Sequence, residues 1–117
     1  MAIPSGSGTE VLKNGVFVVV SNSAVKLIDG VANHIYTVLS VTICETAGAA
    51  ETFDLYVWDP NVGSNVVEVL SDQAIGANKT FIFNDRLVLS GTQELTIITA
   101  SAADLDCIVS YIDQDWS

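Results

Sequence analysis

Short apolar runs recur along this chain at close to the spacing of strands in a sandwich. They cover residues 16–20, 24–28, 35–44, 53–58, 66–70, 80–83, 87–89, 95–99 and 105–112. Clusters of Gly, Asn, Asp and Ser separate them. Strand-like segments at roughly 8–12-residue spacing, bounded by turn residues, point to an all-β sandwich or barrel. No stretch carries the 3.6-residue periodicity of a long helix. The expected fold is therefore a single-domain antiparallel β-sandwich, jelly-roll-like, of about eight strands.

The chain has 117 residues, enough for one domain with a real core. Hydrophobic residues make up 50% and charged residues 15%, which is apolar for a free-standing domain. That surplus implies that other subunits cover some of its surface. Fourteen acidic residues face four basic ones, giving a net charge of −10. Lys13, Lys26, Lys79 and Arg86 are scattered, whereas nucleic-acid binding needs a basic stripe that displaces condensed counterions. Direct contact with nucleic acid or an anionic membrane is not expected. The opening Met1-Ala-Ile-Pro-Ser-Gly-Ser-Gly lacks the charged and apolar regions of a secretion signal, and no window is long and apolar enough to span a bilayer. Cytoplasmic assembly is expected, with Cys44 and Cys107 as free thiols.

Residues 1–12 read as a flexible, small-residue arm, and residues 13–117 as the sandwich. Asn14-Gly15 is expected to turn into the first strand. Residues 16–20 are apolar on both faces and should form a central or doubly covered strand. Along residues 35–44, Ile35, Thr37, Leu39, Val41 and Ile43 share the expected core face, with Tyr36, Val38, Ser40, Thr42 and Cys44 opposite. Residues 46–50 should bend between sheets. Asp59-Pro60-Asn61 should end a strand, residues 71–78 read as a loop with room for a single helical turn but no 3.6-residue pattern, and Asn84-Asp85 and Ser90-Gly91-Thr92 are short turns.

Candidate chemistry is sparse. His34 is the lone histidine, and no Gly-x-Ser-x-Gly elbow supplies a nucleophile for it; a turn or strand-start role is expected. Asp104, Asp106, Asp113 and Asp115 could gather calcium, but without an Asp-x-Asp-x-Asp-Gly loop they read as solvated edge charges. Asp54 and Glu68 are a conceivable carboxylate pair on neighbouring strands, in a sandwich with no groove-forming insertion. Two thiols and one distant histidine do not make a zinc site. No catalytic, cofactor or metal residue is therefore expected. Tyr56, Trp58 and Trp116 are the candidate interface residues: the first two lie opposite the core face of their strand, either as an exposed patch or as a second core layer, and the third sits at the chain end.

Three stretches resemble small structural proteins of tailed bacteriophages, especially marine and cyanobacterial ones: Met1 to Lys13, His34 to Thr42 with residues 51–57, and Leu87-Val-Leu-Ser-Gly91 through Leu95-Thr-Ile-Ile-Thr99 to Val109-Ser-Tyr-Ile112. Gly91-Thr92 stands where such domains often carry a Gly-Asp step. The resemblance implies a non-enzymatic virion protein of the capsid decoration (cement) type, a homotrimer bound to the major capsid protein at the capsid surface. Its alternatives are a tail or baseplate adaptor, a fibre-associated domain, or a carbohydrate-binding module stacking glycan on Tyr56 and Trp58.

Overall fold

The structure is a computed structural model that describes residues 9–20, 22–100 and 104–117. Among the described residues nine strands follow one another: β1 (Thr9–Val20), β2 (Val25–Asp29), β3 (His34–Glu45), β4 (Glu51–Trp58), β5 (Val66–Ile75), β6 (Thr80–Phe83), β7 (Leu87–Ser90), β8 (Glu94–Thr99) and β9 (Asp104–Asp115). They form two antiparallel sheets. The first runs β1-β9-β3, with β6 and β7 both beside β3; the second runs β2-β8-β4-β5. Successive strands alternate between sheets from β1 to β4, and the sheet orders β1-β9-β3-β6/β7 and β2-β8-β4-β5 are those of a jelly roll.

The inner faces meet in one core. Val19, Tyr36, Val38, Val41, Ile43, Leu105, Cys107 and Val109 point in from the first sheet, and Phe53, Leu55, Leu95 and Ile97 from the second; all are buried. Phe53 and Phe81 bridge the sheets edge to face, with ring centroids 5.7 Å apart.

Sequence and structure differ most in β3. Tyr36 and Val38 are buried in its first half, then Val41 and Ile43 in its second. The β3–β9 register shifts between Val38 and Ser40, leaving Leu39 as an extra residue that is 38% exposed. One inserted residue swaps the faces of everything beyond it. The expected core face is thus right for Val41 and Ile43 and inverted for Ile35, Thr37 and Leu39. Across the sheet, residues 84–86 interrupt the edge between β6 and β7. The chain does not reverse there, because β6 pairs with residues 41–44 and β7 with residues 35–38 in the same direction. β6 and β7 are two halves of one jelly-roll strand, so Asn84-Asp85 is a break opposite the bulge and not a turn.

Other boundaries move for local reasons. Asn14-Gly15 lies within β1, opposite Ser110 and Val109. Gly15 leaves room for an aromatic ring: a Cβ there would come within 2.6 Å of Phe17 Cε2. β5 continues through residues expected to be a loop, with its register shifting where Asp72 takes a positive φ of 48°. Residues 46–50 do carry the chain from one sheet to the other, with Gly48 at φ 81°. Of the arm expected over residues 1–12, the first eight residues lie outside the described residues, and residues 9–12 pair with residues 112–115 as the start of β1.

Candidate assembly surface

The two outer faces of the sandwich differ in chemistry. β1 is an edge strand, not a covered one. Phe17 and Val19 point inward, while Val16, Val18 and Val20 are 69%, 63% and 55% exposed. The register places these valines on the outer face of the first sheet, Val18 opposite Asp106 and Val20 opposite Asp104 at one end of the strand, and Val16 within an apolar row. Val16 lies opposite Ile108, Ile108 opposite Thr42, and Thr42 opposite Ile82. Four residues away, Leu12, Ile112, Thr37 and Val88 form a second row in the same way. Leu12, Ile82, Val88 and Ile108 are all exposed. Between the rows, Leu12, Lys13, Asn14, Leu39 and Ser110 line a hollow of about 370 Å³ beside the bulge. Exposed apolar rows of this extent, crossing a whole sheet, are the kind of surface that interaction sites use.

The outer face of the second sheet is charged. Lys26 pairs with Glu94 at 3.2 Å. Thr96, Tyr56 and Glu68 follow one another across β8, β4 and β5. Asp54 Oδ1 accepts the Asp72 amide at 2.8 Å. Burial, then the neighbouring Asp54 and Asp72 carboxylates, push the Glu68 carboxyl above its ordinary value. Tyr56 and Trp58 are half-buried on this face, with Trp58 flanked by Glu94 and Val66. Trp116 is half-buried near the end of β9; its amide donates to the Asn33 carbonyl at 2.9 Å, and its indole Nε1 is enclosed without a hydrogen-bond partner among the described residues.

His34 begins β3, and both its ring nitrogens face carboxylates. Nδ1 is 2.7 Å from Asp113 Oδ1, and Nε2 is 3.5 Å from Asp115 Oδ1. A triad base turns one nitrogen to its orienting acid and the other to a nucleophile; here neither is turned to one. Asp113 also accepts from Lys13 Nζ at 2.7 Å and is only 6% exposed. It is a buried clamp joining β1, β3 and β9, not a solvated edge charge. Asp104 and Asp106 lie at the other end of β9, about 24–37 Å from Asp113 and Asp115 at about 3.4 Å per residue, so the four aspartates do not gather. No group of three or more metal-ligating side chains forms among the described residues.

A polar hollow of about 320 Å³ opens at one end of the sandwich, lined by Asn33, Asp59, Asn61, Ser90, Thr92 and Gln93 among others. The Gln93 amide and the Asn61 N–H hold the Asp59 carboxyl below its ordinary value. Neither Tyr56 nor Trp58 lines it.

No protein-family model and no curated protein sequence matches the chain. Solved structures do match its fold. A structure described as Bacillus endospore appendages, a family of disulfide-linked pili, aligns over 100% of this chain and 97% of its own, with a TM-score of 0.58 and 14% identity. The infectious bursal disease virus Gx strain structure aligns over 95% of this chain, with a TM-score of 0.55 and 9% identity. The subviral particle of VP2 from the same virus aligns over 93%, at 0.53 and 12%. This chain spans about a third of those viral chains. At these identities the likeness is one of fold: the same sandwich serves proteins that build shells and filaments.

Two structural residues escaped the sequence reading. Glu45 is 1% exposed and accepts four backbone N–H groups: those of Ala47, Gly48, Ala49 and Asn78, at 2.8–3.2 Å. The Asn78 amide contributes most to holding its carboxyl below the ordinary value. A glutamate closing an apolar strand before a small-residue loop was the available signal. Asp113 shares parity with Leu105, Cys107, Val109 and Tyr111, which marks it as inward-facing and in need of a partner.

Proposed function

We propose that this chain is a non-enzymatic virion structural protein, and within that class a capsid decoration (cement) protein that docks on the major capsid protein of a phage head. The observation that carries this reading is the contrast between the faces: apolar rows across the middle of the first sheet, with Glu10, Asp104 and Asp106 only toward its two ends, and acidic groups across the second. The first suits a dry contact with a shell; the second suits solvent, at a net charge that repels nucleic acid. The jelly-roll fold and the phage resemblance of the sequence support the virion setting. Tyr56, Trp58 and Trp116 are secondary contacts in this proposal.

Cryo-microscopy of the virion tests it. About one copy per capsid subunit, and heads that lose heat or osmotic resistance without the protein, are expected. A low copy number matching the tail, or heads of unchanged stability, would overturn the cement role.

A filament subunit is a second reading, favoured by the alignment of nearly the whole of both chains to the pilus protein. Disulfide-linked growth needs two reachable thiols per subunit. Cys107 is fully buried, its thiol pushed up to about 12 by burial and Asp106, and only Cys44 reaches the outer face of the first sheet. Ladders of cross-linked species on non-reducing gels would favour the filament over the capsid.

A further inference from the structure

We infer that two copies of this chain associate through β1, strand against strand and antiparallel, so that their first sheets join across a twofold axis. The inference concerns the free protein and holds wherever it acts.

The sheet edges carry the argument. An unpaired edge is a template for another strand, and natural proteins blunt it with bulges, breaks, proline or free charges. Three edges here are blunted. β2 is bulged between Lys26 and Ile28. β5 shifts register twice and carries Glu68 and Asp72. The β6–β7 edge is broken at residues 84–86. β1 is the exception. Its twelve residues pair with β9 in unbroken register. It has no proline, and its one lysine is turned onto the buried Asp113. Glu10 and Lys13 cancel, so β1 is a neutral strip on a strongly acidic protein.

Among protein partners, an extended strand is what pairs with a whole row of edge N–H and C=O groups at once, and β1 is complementary to itself. With the twofold at Val16, Val16 faces its own copy, Asn14 faces Val18 and Leu12 faces Val20. Lys13 falls opposite Val19, so no like charges meet. The row Val16–Ile108–Thr42–Ile82 then continues without interruption into the same row of the second copy. Cross-strand apolar pairs of this kind stabilise antiparallel pairing. An isologous contact is twofold, and therefore replaces the trimer implied by the phage resemblance.

The test is the mass of the full-length protein in solution, by light scattering after size exclusion and by sedimentation. A species of twice the 12.4 kDa chain mass is expected. Val16→Lys with Val18→Lys should halve that mass and leave the circular dichroism spectrum unchanged, since both side chains point to solvent. Register is checked separately: in a Cys44→Ser background, Val16→Cys should yield a disulfide-linked dimer under mild oxidation, and Val88→Cys should not. A monomer at high micromolar concentration, a trimer, a dimer that survives the double lysine variant, or equal cross-linking at both positions would overturn the inference.

Discussion

Replacing Asp113 with alanine probes the clamp that ties β1 and β3 to β9. The carboxylate accepts from Lys13 Nζ and His34 Nδ1, both at 2.7 Å. A hydrogen bond to a charged group contributes about 1.5–3 kcal/mol. The His34 side chain is 17% exposed and retains that range, whereas the Lys13 side chain is 45% exposed and can return to water, leaving the ~1 kcal/mol or less of a surface pair. Relief of the desolvation of Asp113 offsets part of the loss, so the net effect is about 2–3 kcal/mol. With an unfolding entropy of about 2.1 cal/mol/K per residue, a chain of this length loses about 4 °C per kcal/mol, or about 8–12 °C in Tm. Calorimetry and urea titration at pH 7 measure it. The pH dependence supplies a second check. Burial raises the Asp113 carboxyl, but the Lys13 and His34 hydrogen bonds outweigh burial and hold it below its ordinary value. A depressed carboxyl contributes stability above its unfolded value near 4, and loses it as pH falls through the folded value. The advantage of the native protein over Asp113→Ala should therefore shrink below about pH 4. A difference under about 0.5 kcal/mol at pH 7, or one that persists undiminished to pH 3, would refute the clamp.

Glu45→Gln leaves part of its cluster of amides without an acceptor, so hydrogen exchange at Ala47, Gly48, Ala49 and Asn78 should accelerate while β9 core amides stay protected. Deleting Leu39 removes the bulge and forces one half of β3 out of phase; it should destabilise far more than Leu39→Ala, which trims a side chain that is partly exposed outside the core and is expected to cost under about 1 kcal/mol by thermal melt. A thiol reagent at pH 8 should label Cys44 and spare Cys107 until denaturant is added, because burial raises the Cys107 thiol to about 12; mass spectrometry of the labelled peptides reads the ratio.

Much of the strand series was legible from the chain alone. Short apolar runs bounded by turn residues placed all nine strands, and the absence of helical periodicity excluded a layer of helices. The β3 interior was only half legible. Alternation assigns faces within an unbroken strand, and nothing in the residues around Leu39 announces that one of them is extra. The bulge exists because Val38 and Ser40 meet adjacent residues of β9, a strand about seventy residues away. The candidate surface was legible in the same partial sense. Residues 16–20 looked apolar on both faces, and they are; the inference that the same chain covers both failed because β1 sits at a sheet edge.

By itself, then, the sequence determined an all-β domain, the approximate places of its strands and its acidity, because these depend on local pattern and composition. Only the tertiary structure decided which faces are covered, where the phase of β3 reverses, and that Asp113 and Glu45 are buried acceptors. Those outcomes depend on which strands become neighbours. Pairing between distant segments sets register, and register decides whether a given side chain meets the core, a partner group or the solvent.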